Sequence, residues 1–183
     1  KPTFQVEGGD WELRLKAEKL DKFCEGVFYE AGFYKTAPRI FRDACVFGTG
    51  VVKVVDGGSR PEIERVLPWE IVVDDAEAMY GEPPCIYQRK YYDRGVLKAL
   101  WGDDAEKLLR IDAATYDAED GEFGWANTAD QVLVTEAWHR PSGPDAEDGR
   151  HCIVIDGCTL LDEEWADAFP FAFLRWTDPI VGF

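Results

Sequence analysis

Pairs of adjacent carboxylates are the residues whose types could carry acid–base chemistry. Among them are Asp74-Asp75, Asp103-Asp104 and Glu163-Glu164. General acid–base catalysis needs two carboxyl groups held on one face of a cleft. Because neighbouring residues of a strand point to opposite faces, Asp74 and Asp75 cannot share a cleft within a strand. We therefore expect these two residues to end a strand and begin a turn, and a small carboxylate-dependent hydrolase is the less favoured alternative.

A glycine pair, Gly48 and Gly50, stands in the stretch "FRDACVFGTGVVKVV" (41–55) and could cradle a phosphate. In phosphate-binding loops, however, a strand leads into glycines whose amides open a helix N-terminus. Here a helical pattern comes first and a strand pattern follows, with no G-K-[ST]. Gly48 is thus predicted to end a helix in the left-handed conformation. A helix C-terminus repels phosphate, so the pair is predicted to form a corner.

Two histidines, His139 and His151, flank the stretch 140–150 and could meet across a hairpin as a two-ligand metal clip. The alternative is that both lie at strand ends near water. His151 is next to Cys152, which places the two side chains on opposite strand faces and argues against a Cys–His catalytic pair. No G-x-S-x-G occurs, and the acidic loops lack the calcium-hand pattern. The sequence therefore predicts a non-enzyme without catalytic, cofactor-binding or metal-binding residues.

Composition predicts a globular chain. Of its 183 residues 46% are hydrophobic, which favours one domain, 1–183, in which residues 1–48 are helical and residues 49–183 are β-rich. We expect it to be a segment of a longer polypeptide, because it opens on Lys1 and closes on an apolar end. The five cysteines show no C-x-x-C, which favours a reducing compartment.

The charge balance limits the classes of partner. The formal net charge is −16, and such a field repels phosphate backbones. We therefore expect no tight nucleic-acid binding by this chain. Its uncharged apolar runs are shorter than the ~18 residues of a membrane span, so no membrane partner is expected either.

The N-terminal quarter shows helical periodicity. Helices are predicted at about 10–34, with Asp10 as N-cap, and at 37–47, with Thr36 as cap and Pro38 in the first turn. The apolar positions that follow the helical spacing are Leu20, Phe23, Cys24, Val27, Phe28 and Ala31 in the first helix and Ile40, Phe41, Ala44 and Cys45 in the second. Both sets are predicted to face a core.

From Val51 onward the periodicity changes to two, which predicts strands. We place them near 50–56, 61–67, 69–74, 84–92, 130–139, 151–156, 158–161 and 170–176, with a short helical insertion near 93–114. Asp156-Gly157 is predicted to form a hairpin turn. The predicted fold class is α+β, with N-terminal helices packed on a mainly antiparallel β-sheet.

Two polar stretches, 117–130 and 140–150, are predicted surface loops. Trp125 lies in the first of them and is the aromatic residue we expect to be exposed as a partner anchor. An acidic protein-binding module that uses these two loops is the main alternative function.

Several stretches together resemble the portal (head-to-tail connector) proteins of tailed bacteriophages. They are "FRDACVFGTGVVKVV", "IERVLPWEIVVDDAEA", "CIYQRKYYDRGVL", "ADQVLVTEAWH", "HCIVIDGCTLLDE" and "FPFAFLRWTDPIVGF". In that family a helix runs into a G-T-G corner and a strand, and similar strands follow. Each motif alone is unspecific, but their order and spacing extend the resemblance over roughly residues 20–183.

The resemblance implies a structural subunit fragment from the wing region of a ring, usually dodecameric, at one capsid vertex. Such rings form the channel for DNA entry and exit and support genome packaging, ejection and head–tail joining. The implied partners are sibling portal subunits, capsid and scaffolding proteins, terminase and head-completion proteins. The implied location is the portal vertex of the virion, after assembly in the bacterial host cytoplasm. The family supplies no catalytic residues or cofactors.

Overall fold

The structure is a computed structural model that describes residues 3–6, 8, 10–114 and 130–177. The chain forms two compact units. Unit 1 contains the described residues of 1–68 and 170–178, and unit 2 those of 69–169. This division differs from the predicted boundary between helical residues 1–48 and β-rich residues 49–183, because three strands, at 49–56, 61–66 and 171–175, belong to the N-terminal unit. The assignment of 1–183 as one domain stays a prediction.

Helices occupy the N-terminal region and the predicted insertion, and one further short helix that was not predicted lies at 75–78. They are α1 (Trp11–Glu30), α2 (Phe33–Phe47), α3 (Asp75–Ala78), α4 (Arg94–Leu100) and α5 (Ala105–Ala113). Asp10 caps α1 as predicted, because its carboxylate accepts a hydrogen bond from the Leu13 amide at 3.1 Å.

The strands form two antiparallel sheets. They are β1 (Thr49–Asp56), β2 (Pro61–Val66), β3 (Ile71–Val72), β4 (Cys85–Asp93), β5 (Gln131–His139), β6 (Arg150–Ile155), β7 (Cys158–Glu164) and β8 (Phe171–Arg175). Unit 1 holds a three-stranded sheet in the order β2-β1-β8, and unit 2 a five-stranded sheet in the order β3-β4-β5-β6-β7. The α+β class with N-terminal helices is therefore confirmed, with two sheets in place of one.

The break between α1 and α2 falls earlier than predicted. Gly32 adopts a positive φ of 66° and α2 begins at Phe33, so Thr36 is not its cap and Pro38 lies inside the helix. The cause is tertiary packing across the break. The Phe28 ring contacts Phe33, with ring centroids 4.9 Å apart, and this contact favours a helical start at Phe33 over the cap that Thr36 offers.

The predicted strand 69–74 is mostly wrong. Only Ile71–Val72 pair with β4, and Pro68–Glu70 form a single 3₁₀ turn. Proline at the first position fixes a φ that suits this turn and has no N–H to give to a ladder. The alternation of apolar residues here reflects a short edge segment.

The core of unit 2 lies where α4 and α5 pack on one face of the five-stranded sheet. Its buried members are Leu97, Ile111, Ala114, Val132, Val134, Ile155 and Leu160. Arg94 stabilises the C-terminal end of α5. Its guanidinium donates hydrogen bonds to the carbonyl oxygens of Ile111 and Ala114 and forms an ion pair with Asp130.

In unit 1 an ion pair between the buried Asp43 and the partly exposed Arg65 joins α2 to β2. Asp43 is 2% exposed and lies between the buried residues Ile40 and Ala44. The Arg65 Nε and Nη2 donate to its two carboxylate oxygens at 2.5 and 2.7 Å. These hydrogen bonds hold the pKa of Asp43 below its ordinary value although burial opposes the shift. A bidentate pair fixes the direction and the distance of both elements.

We expect Asp43→Asn to lower the free energy of unfolding by about 3 kcal/mol, because it removes the negative charge that pairs with the Arg65 guanidinium. Glu82→Gln, which removes the exposed Arg140–Glu82 pair, is the control and should cost less than about 1 kcal/mol. Since the pKa of Asp43 is lowered in the folded state, the stabilisation by this carboxylate is present at neutral pH. It is lost as the pH falls below about 4 and through the folded-state pKa. Urea denaturation at pH 7 and pH 3 measures both effects, and equal losses in the two variants would contradict the assignment.

Candidate functional site

Gly48 and Gly50 form the corner between α2 and β1, and each position requires glycine for a different reason. Gly48 ends α2 in the left-handed conformation, with φ 82°, as predicted. Its carbonyl oxygen accepts a hydrogen bond from the Trp176 amide at 2.9 Å. Gly50 has ordinary dihedral angles, but a Cβ there would overlap the Ile40 carbonyl oxygen and lie 2.9 Å from the Ile40 Cγ2. The pair is a packing corner at a helix C-terminus, and the phosphate-loop alternative is contradicted.

Substitution should separate the two glycine roles. Gly48→Ala is expected to cost about 1–2 kcal/mol through backbone strain. Gly50→Ala should cost about 1–3 kcal/mol, because the backbone oxygen of Ile40 cannot move aside without displacing α2. Gly26→Ala, in the interior of α1 with open space at the Cβ position, should stabilise by up to about 1 kcal/mol. Thermal unfolding of the three variants tests the assignment, which a neutral Gly50→Ala would refute.

Two of the carboxylate pairs supply helix caps in the structure. The Asp74 carboxylate caps α3, accepting hydrogen bonds from the amides of Ala76 and Glu77 at 2.9 and 3.1 Å, and Asp75 begins that helix. Asp104 caps α5 in the same manner, and these backbone hydrogen bonds lower its pKa. The expectation that Asp74 and Asp75 end a strand and begin a turn is therefore wrong, because β3 ends at Val72 and the two residues open a helix.

The two histidines do not meet, which contradicts the two-ligand clip. In the β5–β6 register His151 lies opposite Trp138 and His139 lies opposite Arg150, so the two imidazoles point to opposite faces of the sheet. His139 contacts the Asp148 carbonyl oxygen through Nδ1 at 3.2 Å. Among the residues described, no group of three or more His, Cys, Asp or Glu side chains is placed to hold a metal ion.

His151 is buried, so its expected position near water is wrong. Its Nδ1 lies 2.7 Å from Glu163 Oε1 and its Nε2 lies 3.0 Å from Glu136 Oε1. The imidazole stacks on Trp138, with centroids 5.0 Å apart and planes at 9°, and meets Trp165 edge-on. The residue is only 8% exposed. Side chains of β5 and β7 therefore contact the His151 imidazole, which β6 carries.

The protonated imidazolium is the form that suits two carboxylates. Burial lowers the pKa of His151, but hydrogen bonds from the ring to Glu136 and Glu163, and the charges of both groups, outweigh burial and raise the pKa above its ordinary value. With both ring nitrogens engaged, this histidine has no free nitrogen for a substrate. Its geometry is that of a structural link between β5, β6 and β7.

We expect the stability of unit 2 to depend on pH through His151. Because the pKa of His151 is raised in the folded state, the stabilisation that it contributes is complete below its unfolded-state pKa of about 6.5. This stabilisation is lost as the pH rises through the folded-state pKa. Urea denaturation midpoints between pH 6 and 9 should decline more steeply for the native chain than for His151→Gln, whereas His139→Gln should follow the native profile. An NMR titration should give a midpoint above 6.5 that falls in Glu136→Gln. A His151 midpoint below 6.5 would refute the link.

The sequence pattern did not identify Asp43, Arg65, Glu136 or Glu163 as members of these centres. One signal was present, because Asp43 stands within the apolar stripe of α2 between Ile40 and Ala44. A charge on a buried helix face requires a partner, but only the tertiary structure shows which residue that is.

The helices of unit 1 expose large apolar side chains. On α1 the exposed residues include Trp11, Leu13, Leu20, Phe23 and Tyr29, and on α2 they include Tyr34, Phe41, Val46 and Phe47. The predicted burial of Leu20, Phe23, Phe41 and Cys45 is therefore wrong within this chain. Clusters of exposed apolar residues are typical of surfaces that pack on another protein. This helical surface is the candidate functional site.

Charge is divided unevenly between the units. Basic and acidic residues cancel in the sequence of unit 1, so the sequence of unit 2 carries the whole net charge of −16. A neutral surface with exposed apolar residues is suited to contact with other copies of an acidic protein, because the like charge of the acidic units resists their approach.

The predicted loop 117–130, apart from Asp130, and its Trp125 lie outside the described residues. The loop 140–150 is described, and within it the Asp148 carboxylate accepts a hydrogen bond from the Ser142 amide at 2.9 Å. No family model matches the chain, and a search of curated proteins found no match. Among the described helices, none combines the length and apolar composition that a membrane crossing requires.

Proposed function

We propose that this chain is a structural, non-catalytic fragment of a tailed-bacteriophage portal subunit, from the peripheral wing of the ring. In this proposal the complete protein forms the DNA entry and exit channel at one capsid vertex. Its partners are sibling subunits in a ring, twelve of them by the family resemblance, together with capsid, scaffolding, terminase and head-completion proteins.

The corner between α2 and β1 carries the proposal. A helix ends at Gly48 and a strand packs against that same helix at Gly50, which is the arrangement that the G-T-G resemblance implies. Three of the other motifs include strands, which supports the proposal, whereas the "PWEIVVD" stretch forms a 3₁₀ turn and a two-residue strand. "CIYQRKYYD" forms β4, "QVLVTEAWH" forms β5, and "FAFLR" forms β8.

The exposed helical surface supports a role in assembly. Phe41 is 54% exposed and Trp11 is 76% exposed, and side chains of this size lose contact with water when subunits pack together. Around a ring, neighbouring acidic units repel, so neutral surfaces are the favourable places for contact.

A second candidate, an acidic module that binds a basic protein, is favoured by the charge of unit 2. In the loop 140–150 the residues Asp145, Glu147 and Asp148 are exposed and could meet cationic side chains. This candidate predicts saturable binding of the monomeric chain to a basic protein that weakens steeply with salt.

Ring formation by the full-length gene product tests the proposed function. We expect closed rings in negative-stain electron microscopy, with a single subunit number in native mass spectrometry. Gly50→Val in the full-length protein should reduce the fraction of rings, since it moves α2 away from β1. Gly143→Ala, in open space, is the matched control and should assemble normally. A full-length product that stays monomeric at all concentrations would refute the portal assignment, and salt-sensitive binding to a basic protein would then favour the second candidate.

A further inference from the structure

One face of α1 carries a seven-residue repeat that the described part of the chain leaves largely uncovered, with Val27 half-buried. This face, the α1 stripe, consists of Leu13, Lys16, Leu20, Phe23, Val27 and Glu30. Successive spacings of three and four residues place these side chains along a single line of the helix. Leu13 and Leu20 are each 46% exposed, and Phe23 is 68% exposed. An apolar line of this spacing is suited to packing against another helix.

The α1 stripe is complementary to its own reversed copy. Its two charged members have opposite signs and lie near opposite ends, with Lys16 in the first half and Glu30 at the last residue. If two α1 helices lay parallel, Lys16 would face Lys16 and Glu30 would face Glu30. If they lay antiparallel, Leu20 could lie opposite the partner's Phe23, and Lys16 would then lie within about 4.5 Å, along the axis, of the partner's Glu30.

We propose that the α1 stripe binds a second copy of this chain as an antiparallel helix pair. Leu20 and Phe23 form the centre, and two Lys16–Glu30 pairs close the ends. The antiparallel arrangement also opposes the two helix dipoles, which is favourable. Since unit 1 is electrically neutral in sequence, this contact avoids the repulsion that the acidic unit 2 imposes elsewhere.

This antiparallel dimer is a contact that the proposed function does not include. Two copies joined in this way are related by a twofold axis, whereas neighbours in a closed ring are all related by one smaller rotation. The α1 contact is therefore separate from the contact between ring neighbours and joins free subunits or subunits of different rings. Because it involves one helix per copy, we expect weak, micromolar association.

Sedimentation equilibrium of the 183-residue chain over a concentration series measures the association. The native chain should show a monomer–dimer equilibrium. Phe23→Glu should raise the dissociation constant on the order of 30-fold, because it places a charge at the centre of the contact. Tyr29→Glu is the matched control on another face of α1, where the aromatic residue is 79% exposed, and should leave the constant unchanged.

Charge reversal tests the antiparallel direction with exposed residues that do not endanger folding. Lys16→Glu alone and Glu30→Lys alone should each weaken the dimer about tenfold, since each creates two like-charge pairs. The double variant Lys16→Glu/Glu30→Lys should restore the native constant within about threefold. Circular dichroism of every variant confirms that the helices are retained.

Three results would overturn the proposal. They are a chain that stays monomeric up to about 1 mM, a Tyr29→Glu variant that weakens the dimer as much as Phe23→Glu, and a double variant that does not recover. Ring assembly of the full-length product is observed by microscopy and self-association of this chain by sedimentation, so each idea can fail without the other.

Discussion

The close approach of α2 to β1 is the constraint on which unit 1 depends. At Gly50 no side chain separates the strand from the Ile40 backbone, so the helix lies as near to the sheet as backbone atoms allow. This proximity removes Asp43 from water, and a carboxylate there is tolerable only because Arg65 in β2 meets it with two hydrogen bonds. One missing Cβ and one ion pair thus fix both the distance and the orientation of the helix.

Local chemistry made much of this fold predictable. Asp10 before an apolar repeat, Gly48 after one, and Asp156-Gly157 between two short apolar runs each satisfy a backbone requirement within a few residues of themselves. Such signals do not depend on distant partners. Together with the hydrophobic periodicity, they placed the two N-terminal helices, seven of the eight strands and the helical insertion close to their observed positions.

The remaining features depend on residues far apart in the chain. The imidazole of His151 is buried because β5 and β7 bring Glu136 and Glu163 to its two nitrogens. A shift of one residue in either register would place those carboxylates on the other face, and the sequence does not encode the register locally. For the helical surface, periodicity predicted an apolar face on α1 but could not show that Leu20 and Phe23 stay exposed within the chain.

Because charge is divided unevenly, contact between copies through the exposed helices of unit 1 is less opposed by repulsion than contact through unit 2. If the net charge were spread evenly over both units, any two surfaces of neighbouring copies would repel to a similar degree, and an apolar contact would have to overcome that repulsion wherever it formed. With the excess acid confined to unit 2, the neutral unit 1 is the place where burial of apolar area is least opposed. Leu20 and Phe23 lie in that unit. These two side chains are therefore exposed in the unit where charge repulsion between copies is weakest. Contacts through the acidic unit 2 are opposed by its like charge.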